Sequence, residues 1–214
     1  MPGRVIAIAN TKGGVGKSTI AGNLAWAFST LPQAPRKVLL VDTDHQASVT
    51  KWFDLAEDVP FERLQLTTVR VLQHQVPKFR QQYDLIVIDC PPMQSDVTAA
   101  ALMLSDLGLV PVQPSPLDIL AYGELLPLLH QAQGFNASLR LYFVVNQLSA
   151  RTALAREVAE SLSDADIPLM RTRIHDRQIY RQIVARGSSV VLESGPAKAE
   201  ILSLAQDVLQ ALEK

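Results

Sequence analysis

The chain has 214 residues, 48% of them hydrophobic and 19% charged, which is typical of one globular domain with a substantial core and excludes a disordered chain. The net charge of −1 and an isoelectric point near 6.4 exclude a uniformly basic coat, so contact with DNA or RNA requires a local patch. The single cysteine, Cys90, excludes a disulfide within the chain and a cysteine metal cage. With no leader peptide and no apolar run of the roughly 20 residues that span a membrane, we expect a soluble cytoplasmic protein.

Short apolar runs alternate with segments of helical pattern along the chain. The runs are nearly continuous in hydrophobicity, which is typical of strands covered on both faces. Their alternation with helices predicts an α/β fold with a doubly wound, mostly parallel sheet and helices on both faces. We expect one domain over residues 1–214. The predicted strands are Val5–Ala9, Val38–Val41, Leu85–Ile88, Leu107–Val112 and Leu139–Val145, and the predicted helices include Ser18–Leu31, Val97–Leu104, Ile119–Gln133 and Ala153–Leu162.

The segment NTKGGVGKST, Asn10–Thr19, contains the loop Asn10–Lys17, which connects the first predicted strand to the first predicted helix. Its glycines let the backbone turn tightly and aim N–H groups at phosphates, and the helix N-terminus adds partial positive charge. Lys17 would bind the outer phosphates, and the Ser18 hydroxyl would complete the coordination of Mg²⁺. A glycine turn of accidental similarity is the alternative, against which the flanking strand and helix argue. The predicted nucleotide-binding residues of this loop are Gly13, Gly14, Val15, Gly16, Lys17, Ser18 and Thr19.

The loop departs from the usual pattern G-x-x-x-x-G-K-[ST], because Thr11 replaces the first glycine and a second lysine, Lys12, follows it. Lys12 lies at the wrong end of the loop to grip the outer phosphate of its own nucleotide easily, but it could reach the nucleotide of a docked second subunit. The segment KGGVGKST resembles the deviant phosphate loop of the ParA/MinD ATPases. The resemblance implies a phosphate-loop ATPase that uses ATP and Mg²⁺ and in which Lys12 acts across an ATP-sandwiched homodimer.

Two predicted strands end in aspartates, at the edge of a parallel sheet where ligands bind. VLLVDTDHQAS places Asp42 where it suits the water shell of Mg²⁺ and Asp44 where it suits orientation of the attacking water. The predicted catalytic residues are Lys12, Lys17 and Asp44. YDLIVIDCPP places Asp89 in the position of the acid that holds Mg²⁺ through water. Loop or helix-capping aspartates are the alternative. His45 stands where the family usually has proline, which leaves the rigidity of this segment open.

Three further features accompany these motifs. Cys90 is interpreted as a buried small side chain rather than a nucleophile. The prolines of LVPVQPSPLDI, Leu109–Ile119, fix the backbone between a strand and a helix, either as a dimer face or base-pocket wall or as an ordinary rigid turn. Asn146 follows the strand RLYFVV, and in many relatives an asparagine there binds the adenine edge, which an amide can match with both a donor and an acceptor.

The segment Met170–Val190 is strongly basic and contains one acid, Asp176. If Asp176 caps a helix, Arg177 and Arg181 lie one turn apart on the same face. Such a patch suits sequence-independent contacts with DNA phosphates, whereas an arginine face paired with nearby acids is the alternative. The candidate DNA-binding residues are Arg171, Arg173, Arg177, Arg181 and Arg186.

The patterns T-x-I-x-x-R-Q-x-Y, at Thr172–Tyr180, and AKAEI, at Ala197–Ile201, resemble the small ParF-type partition ATPases. The resemblance implies ATP-bound dimers that bind DNA nonspecifically, lie on the nucleoid in the cytoplasm and hydrolyse ATP slowly under stimulation by a cargo-linked, ParB-like adaptor. Only nine residues precede Asn10, so we expect no N-terminal DNA-reading domain.

Two other function classes remain open on the sequence. One is a membrane-cycling, MinD-like regulator. In the last helix, however, Ile201, Leu204, Val208 and Leu212 form a stripe opposite a mixed face, which favours packing against the domain over membrane binding. The other class is a metabolic phosphate-loop ATPase acting on a small molecule, for which no second polar constellation is evident.

Overall fold

The computed structural model describes residues 2–32, 37–92, 95–149 and 166–213, with only the backbone for 116–122 and 124. The strands in these residues are β1 Arg4–Ile8, β2 Val38–Asp42, β3 Glu62–Gln65, β4 Leu85–Asp89, β5 Leu107–Val112 and β6 Arg140–Val145. The helices are α1 Lys17–Thr30, α2 Ser48–Asp54, α3 Val69–Phe79, α4 Asp96–Met103, α5 Pro116–Phe135, α6 Gln178–Ala185 and α7 Pro196–Glu213, with a 3₁₀ turn at Val190–Leu192.

The strands form one parallel sheet in the order β3-β2-β4-β1-β5-β6, which confirms the predicted doubly wound α/β fold. The chain builds one side of the sheet first, returns in β4 beside β1, and then continues on the other side through β5 and β6. Asp89 is in register with Ile8 of β1 and with Asp42 of β2. The carboxyl ends of the central strands are therefore level, and the segments that follow them meet at one edge, where α/β sheets bind ligands.

The core has two halves, one on each face of the sheet. Helices α1, α2, α6 and α7 cover one face, and α3, α4 and α5 cover the other. Along β1, Ile6 and Ile8 pack on the first face and Val5 and Ala7 on the second, all fully buried. Burial on both faces explains why the strands are almost continuously apolar. The stripe of α7, from Ile201 to Leu212, is buried on the first face as predicted.

The predicted strands and helices within the described residues are present, and their ends differ from the predicted ones by at most three residues. The predicted helix Ala153–Leu162 lies outside the described residues. The sequence gives no indication of β3, whose residues ERLQ lie at the edge of the sheet and are mostly exposed. It also does not reveal α2, which has 7 residues, or α3, which contains Pro77. No helix of the described residues is long and apolar enough to cross a membrane.

Candidate functional site

The loop between β1 and α1 has the tight, glycine-dependent path that the sequence predicts. Gly14 and Gly16 have φ values of 77° and 90°, in the left-handed region that glycine enters without steric cost. A Cβ at Gly16 would lie 2.2 Å from Nδ2 of Asn146, so no larger residue fits without displacing that amide. Helix α1 begins at Lys17, and the N–H groups of its first turn carry the partial positive charge of the helix terminus. The loop is therefore shaped to bind an anion.

Lys17 is the buried cation of this loop, with 6% of its surface exposed. Its Nζ donates a hydrogen bond to the backbone carbonyl of Lys12 at 2.9 Å. Burial lowers the pKa of Lys17, and the nearby Asp89, Cys90 and Asp44 oppose this decrease. An ionised phosphate would be a stronger acceptor for the ammonium group than a neutral carbonyl is.

Asp42, at the end of β2, is buried and fully engaged in hydrogen bonds. Its Oδ1 accepts from the backbone N–H of Asp44 at 3.0 Å. Its Oδ2 accepts from the backbone N–H of Thr50 at 3.0 Å and from the Thr50 hydroxyl at 2.9 Å. Asp42 therefore ties the start of α2 to the end of β2, a role in addition to the predicted contact with Mg²⁺.

Asp89, at the end of β4, is equally buried, but neither of its carboxylate oxygens has a hydrogen-bond partner among the described residues. Burial raises its pKa to about 7; the Ser18 hydroxyl and Lys17 oppose the rise, and the Asp42 carboxylate adds to it. A buried carboxylate without a partner is costly unless a cation or a proton satisfies it. A carboxylate and a nearby serine hydroxyl, here Asp89 and Ser18, are ligands that fit Mg²⁺, an oxygen-preferring ion that usually keeps water and phosphate ligands.

The site forms a cleft of about 300 Å³ at the carboxyl edge of the sheet. Asp44 is half-buried on its wall, and its carboxylate accepts from the N–H of Gln46 at 2.9 Å. Its carbonyl accepts from the N–H of Ala47 and from Nε2 of Gln65, both at 3.0 Å. These bonds fix the segment after β2 without the proline of the family, and the side chain of His45 is exposed. The cleft is lined by Gly13, Gly14, Gly16, Lys17, Ser18, Thr19, Asp44, Ser48, Cys90, Pro92 and Gln147.

Cys90 lines the cleft but is 2% exposed. Burial, and next the Asp89 carboxylate, raise the pKa of its thiol far above the ordinary value. A thiol that does not ionise is a poor nucleophile. The structure therefore supports the interpretation of Cys90 as a buried small side chain.

Side-chain amides that follow β5 and β6 hold the loop from the opposite side. Asn146 is buried, and its Nδ2 donates to the carbonyl of Val15 at 2.7 Å. Its contact with adenine stays a prediction. Gln113 and Gln147 both donate to the carbonyl of Gly14, at 3.3 and 2.8 Å. Sequence reasoning does not find this glutamine pair, because two glutamines 34 positions apart form no recognisable motif.

The tertiary structure pairs three of the five candidate DNA-binding arginines with acids. Arg171 binds Asp207 at 3.0 Å and also contacts Gln210. Arg177 binds Glu200 at 2.6 Å. These two acids lie on α7, far along the chain from the arginines, so the basic segment is less positive than its sequence indicates.

Asp176 does not cap a helix, so the condition for placing Arg177 and Arg181 one turn apart on a free face is not met. Helix α6 has Arg177 in the cap position, with no side-chain capping bond, and Asp176 instead binds Arg181 at 3.3 Å. Arg177 turns back to Glu200, so Arg177 and Arg181 do not form one free pair on a helix face. Within the described residues Arg173 and Arg186 are exposed and form no ion pair with an acid.

The comparison with protein families agrees with this geometry. The family described as the CobQ/CobB/MinD/ParA nucleotide binding domain matches residues 6–190. The chain belongs to this family. Members of its ParA/MinD group are phosphate-loop ATPases that use ATP with Mg²⁺, which accounts for the glycine loop, for Lys17 and for Asp89, whose carboxylate has no hydrogen-bond partner in the described part of the chain.

Three similar proteins illustrate the range of the family. Maintenance of carboxysome distribution protein A of Halothiobacillus neapolitanus is 33% identical over 191 residues, covering 86% of this chain and 85% of that protein. Chromosome-partitioning ATPase Soj of Thermus thermophilus is 33% identical over 190 residues, covering 74% and 75%. The septum site-determining protein MinD of Pyrococcus horikoshii, solved with Mg-ADP, has a TM-score of 0.79 at 20% identity, covering 96% and 95%. This chain is thus a ParA/MinD-type ATPase of the partition and positioning kind.

Proposed function

We propose that this chain is a DNA-bound positioning ATPase. ATP would join two copies into a sandwich dimer that binds DNA without sequence preference, and slow hydrolysis, stimulated by a cargo-linked, ParB-like adaptor, would release it. The cargo would be a plasmid, a chromosome or a protein assembly. The observation that carries the proposal is the two-lysine phosphate loop, in a chain similar to proteins named for carboxysome distribution and chromosome partitioning.

In this proposal the phosphate loop, the two lysines and the three aspartates have separate tasks. The loop N–H groups and Lys17 bind and neutralise the phosphates, and Asp44 orients the attacking water. Ser18, Asp42 and Asp89 would hold Mg²⁺, which, when bound, neutralises further phosphate charge. Lys12 would act on the nucleotide of the second copy. Its N–H donates to Oδ1 of Asn10 at 2.9 Å, which fixes the backbone from which its side chain extends.

Fewer arginines are available for the proposed DNA contacts than the sequence suggests. Arg173 and Arg186 are the strongest candidates, because they are exposed and have no acidic partner in the described part of the chain. Arg171 and Arg181 can contribute, because their side chains are 75% and 74% exposed despite their ion pairs. Arg177 is 31% exposed and is committed to Glu200. A dimer would present this small patch twice, and two linked weak contacts bind DNA more tightly than one.

The membrane-cycling alternative has less support, because the apolar stripe of α7 is buried in the core and its polar face carries Asp207 and Glu200. A basic polar face and an available apolar face are what binding to a membrane surface needs.

Fluorescence anisotropy on random-sequence duplex DNA tests the proposal. We expect binding with ATP and Mg²⁺, weak binding with ADP or without nucleotide, and a steep decrease with salt. Lys12→Ala should abolish the ATP-dependent part. Lys51→Ala, which removes an exposed lysine on α2, is the matched control and should retain it. A protein that binds ATP but no DNA in any nucleotide state contradicts the DNA role, and binding that ignores nucleotide contradicts the switch.

A further inference from the structure

Two glutamine side chains, one from the segment after β5 and one from the segment after β6, converge on one carbonyl of the phosphate loop. Nε2 of Gln147 donates to the Gly14 carbonyl at 2.8 Å, and Nε2 of Gln113 donates to the same oxygen at 3.3 Å. Nε2 of Gln113 also donates to Oε1 of Gln147 at 2.5 Å. The pair is therefore closed on itself as well as on the loop, and we call these two residues the glutamine clamp.

The orientation of both amides in the glutamine clamp is fixed by chemistry. The carbonyl oxygen of Gly14 can only accept hydrogen bonds, so the group that each glutamine turns toward it must be the NH₂ group. The second N–H of Gln113 then meets Oε1 of Gln147, which is an acceptor. No exchange of oxygen and nitrogen in either side chain preserves this set of bonds.

Gln147 holds an uncommon backbone conformation to make its contact. Its φ is 54°, in the left-handed region that residues other than glycine rarely adopt. In an extended strand the side chains of Asn146 and Gln147 would point to opposite faces. The left-handed turn at Gln147 lets both reach the loop, where Asn146 binds the carbonyl of Val15 and Gln147 that of Gly14. Such conformations persist where the surrounding contacts require them, often at functional sites.

The clamped carbonyls determine where the loop N–H groups point. A trans peptide is planar, and its C=O and N–H groups point in opposite directions. With the Gly14 carbonyl held by the glutamine clamp, the N–H of Val15 points away from the two glutamines. With the Val15 carbonyl held by Asn146, the N–H of Gly16 points away from that amide. Both N–H groups are thereby turned from the β5–β6 side of the loop, as anion binding by a phosphate loop requires.

We propose that Gln113 and Gln147 are positioning residues that prevent a flip of the Gly14–Val15 peptide. A flipped peptide would direct a carbonyl oxygen toward the phosphates in place of an N–H group. The glutamine clamp therefore sets the affinity of the loop for the phosphate chain of the nucleotide. This inference rests on nucleotide binding at the loop and is independent of the proposed DNA role.

Isothermal titration calorimetry with ADP and AMP, both with Mg²⁺, tests the clamp in three variants. Gln113→Leu removes one amide without changing a strained backbone position. Gln147→Asn keeps a residue that tolerates the left-handed conformation but has too short an amide to reach Gly14. Each should weaken ADP binding roughly tenfold, about the effect of one hydrogen bond, and AMP binding less, because AMP offers fewer phosphate groups. The loss of binding free energy for ADP in the double variant should be smaller than the sum of the losses in the two single variants, because both residues bind the same carbonyl.

Gln133→Leu is the matched control. Gln133 lies on α5, away from the phosphate loop, and the substitution removes the hydrogen bond that its side chain donates to the backbone carbonyl of Leu139. The clamp is contradicted if the affinities of Gln113→Leu and Gln147→Asn for ADP lie within twofold of the affinity of this control. It is also contradicted if the substitutions weaken the binding of ADP and of AMP by the same factor. Should Gln147→Asn unfold, Gln113→Leu alone decides between these results. Failure of the unaltered protein to bind ADP would instead overturn nucleotide binding itself.

Discussion

The nucleotide cleft and the arginine segment, Met170–Val190, differ in whether their charged side chains have partners within the fold. In the cleft, Asp89 is buried without a hydrogen-bond partner in the described residues, and Nζ of Lys17 donates to the neutral backbone carbonyl of Lys12. In the arginine segment, Arg171 and Arg177 are paired with Asp207 and Glu200 of α7. Charges left unsatisfied by the fold are available to a ligand, whereas charges satisfied by the fold stabilise it.

Two carboxylates make this difference concrete. Burial raises the pKa of Asp89 to about 7. Burial acts in the same direction on Glu200, but hydrogen bonds from Arg177 and His175 outweigh it and hold the pKa of Glu200 below its usual value. The same chemical group, a carboxylate, therefore opposes folding at the cleft and supports folding at Glu200 of α7. Substitution of the two residues should change stability with opposite signs.

The largest expected effect is at Asp89. Asp89→Asn should lower ATP hydrolysis by about 100-fold, because an amide is a poor substitute for a carboxylate facing Mg²⁺. The same change removes a buried, unpaired charge, so it should raise the melting temperature by about 2–4 °C, the equivalent of about 1 kcal/mol in a chain of this size. Both are measured at pH 8, hydrolysis with Mg²⁺ and melting without ligands. A variant that loses activity and also has a lower melting temperature would show that Asp89 stabilises the fold. The proposed difference between Asp89 and Glu200 would then be wrong.

A smaller effect is expected in the arginine segment. The double variant Arg173→Ala/Arg186→Ala should weaken ATP-dependent DNA binding about tenfold and flatten its salt dependence, because phosphate contacts are lost. Arg177→Ala should leave DNA affinity within about twofold while lowering stability. Lys51→Ala/Arg70→Ala, which removes two exposed cations from α2 and α3, is the control for net charge. Anisotropy titrations at several salt concentrations decide. If Arg177→Ala lowers DNA affinity more than Arg173→Ala/Arg186→Ala does, then Arg177 rather than the exposed pair contacts DNA.

The smallest expected effect is at Glu200. Glu200→Gln should lower the free energy of unfolding by about 1 kcal/mol at pH 7, because Arg177 and His175 lose a charged acceptor. Since the folded-state pKa of Glu200 is lowered, its stabilisation is complete above the unfolded-state pKa and disappears as pH falls through the folded one. The difference from the unaltered protein should therefore vanish in strong acid.

Urea unfolding between pH 7 and pH 2.5 measures this loss, with Glu57→Gln, at an exposed position, as the control. A difference that persists unchanged at low pH would mean that Glu200 acts through packing rather than charge.

Much of the fold and of the nucleotide site is predictable because the signals are local. The apolar runs around Val5, Val38 and Leu107 identify strands buried on both faces, and β3 escapes because its edge position needs no apolar run. The phosphate loop is recognisable because its glycines, lysines and Ser18 are contiguous. The cap at Asp176 fails because the local pattern cannot show that Arg177 has a partner on α7.

By itself the sequence determined the sheet, the anion-binding loop and the set of acids at the strand ends, since each depends on residues close together in the chain. Only the tertiary structure decided which charges stay unpaired. Glu200 meets Arg177 across 23 positions, and Gln113 and Gln147 meet Gly14 across 99 and 133. Asp42 accepts hydrogen bonds from Asp44 and Thr50, whereas Asp89 beside it accepts none from the residues that the structure describes. Hydrogen bonds and desolvation depend on distance in space, so the packing of distant segments, rather than local pattern, determines which groups are available for chemistry.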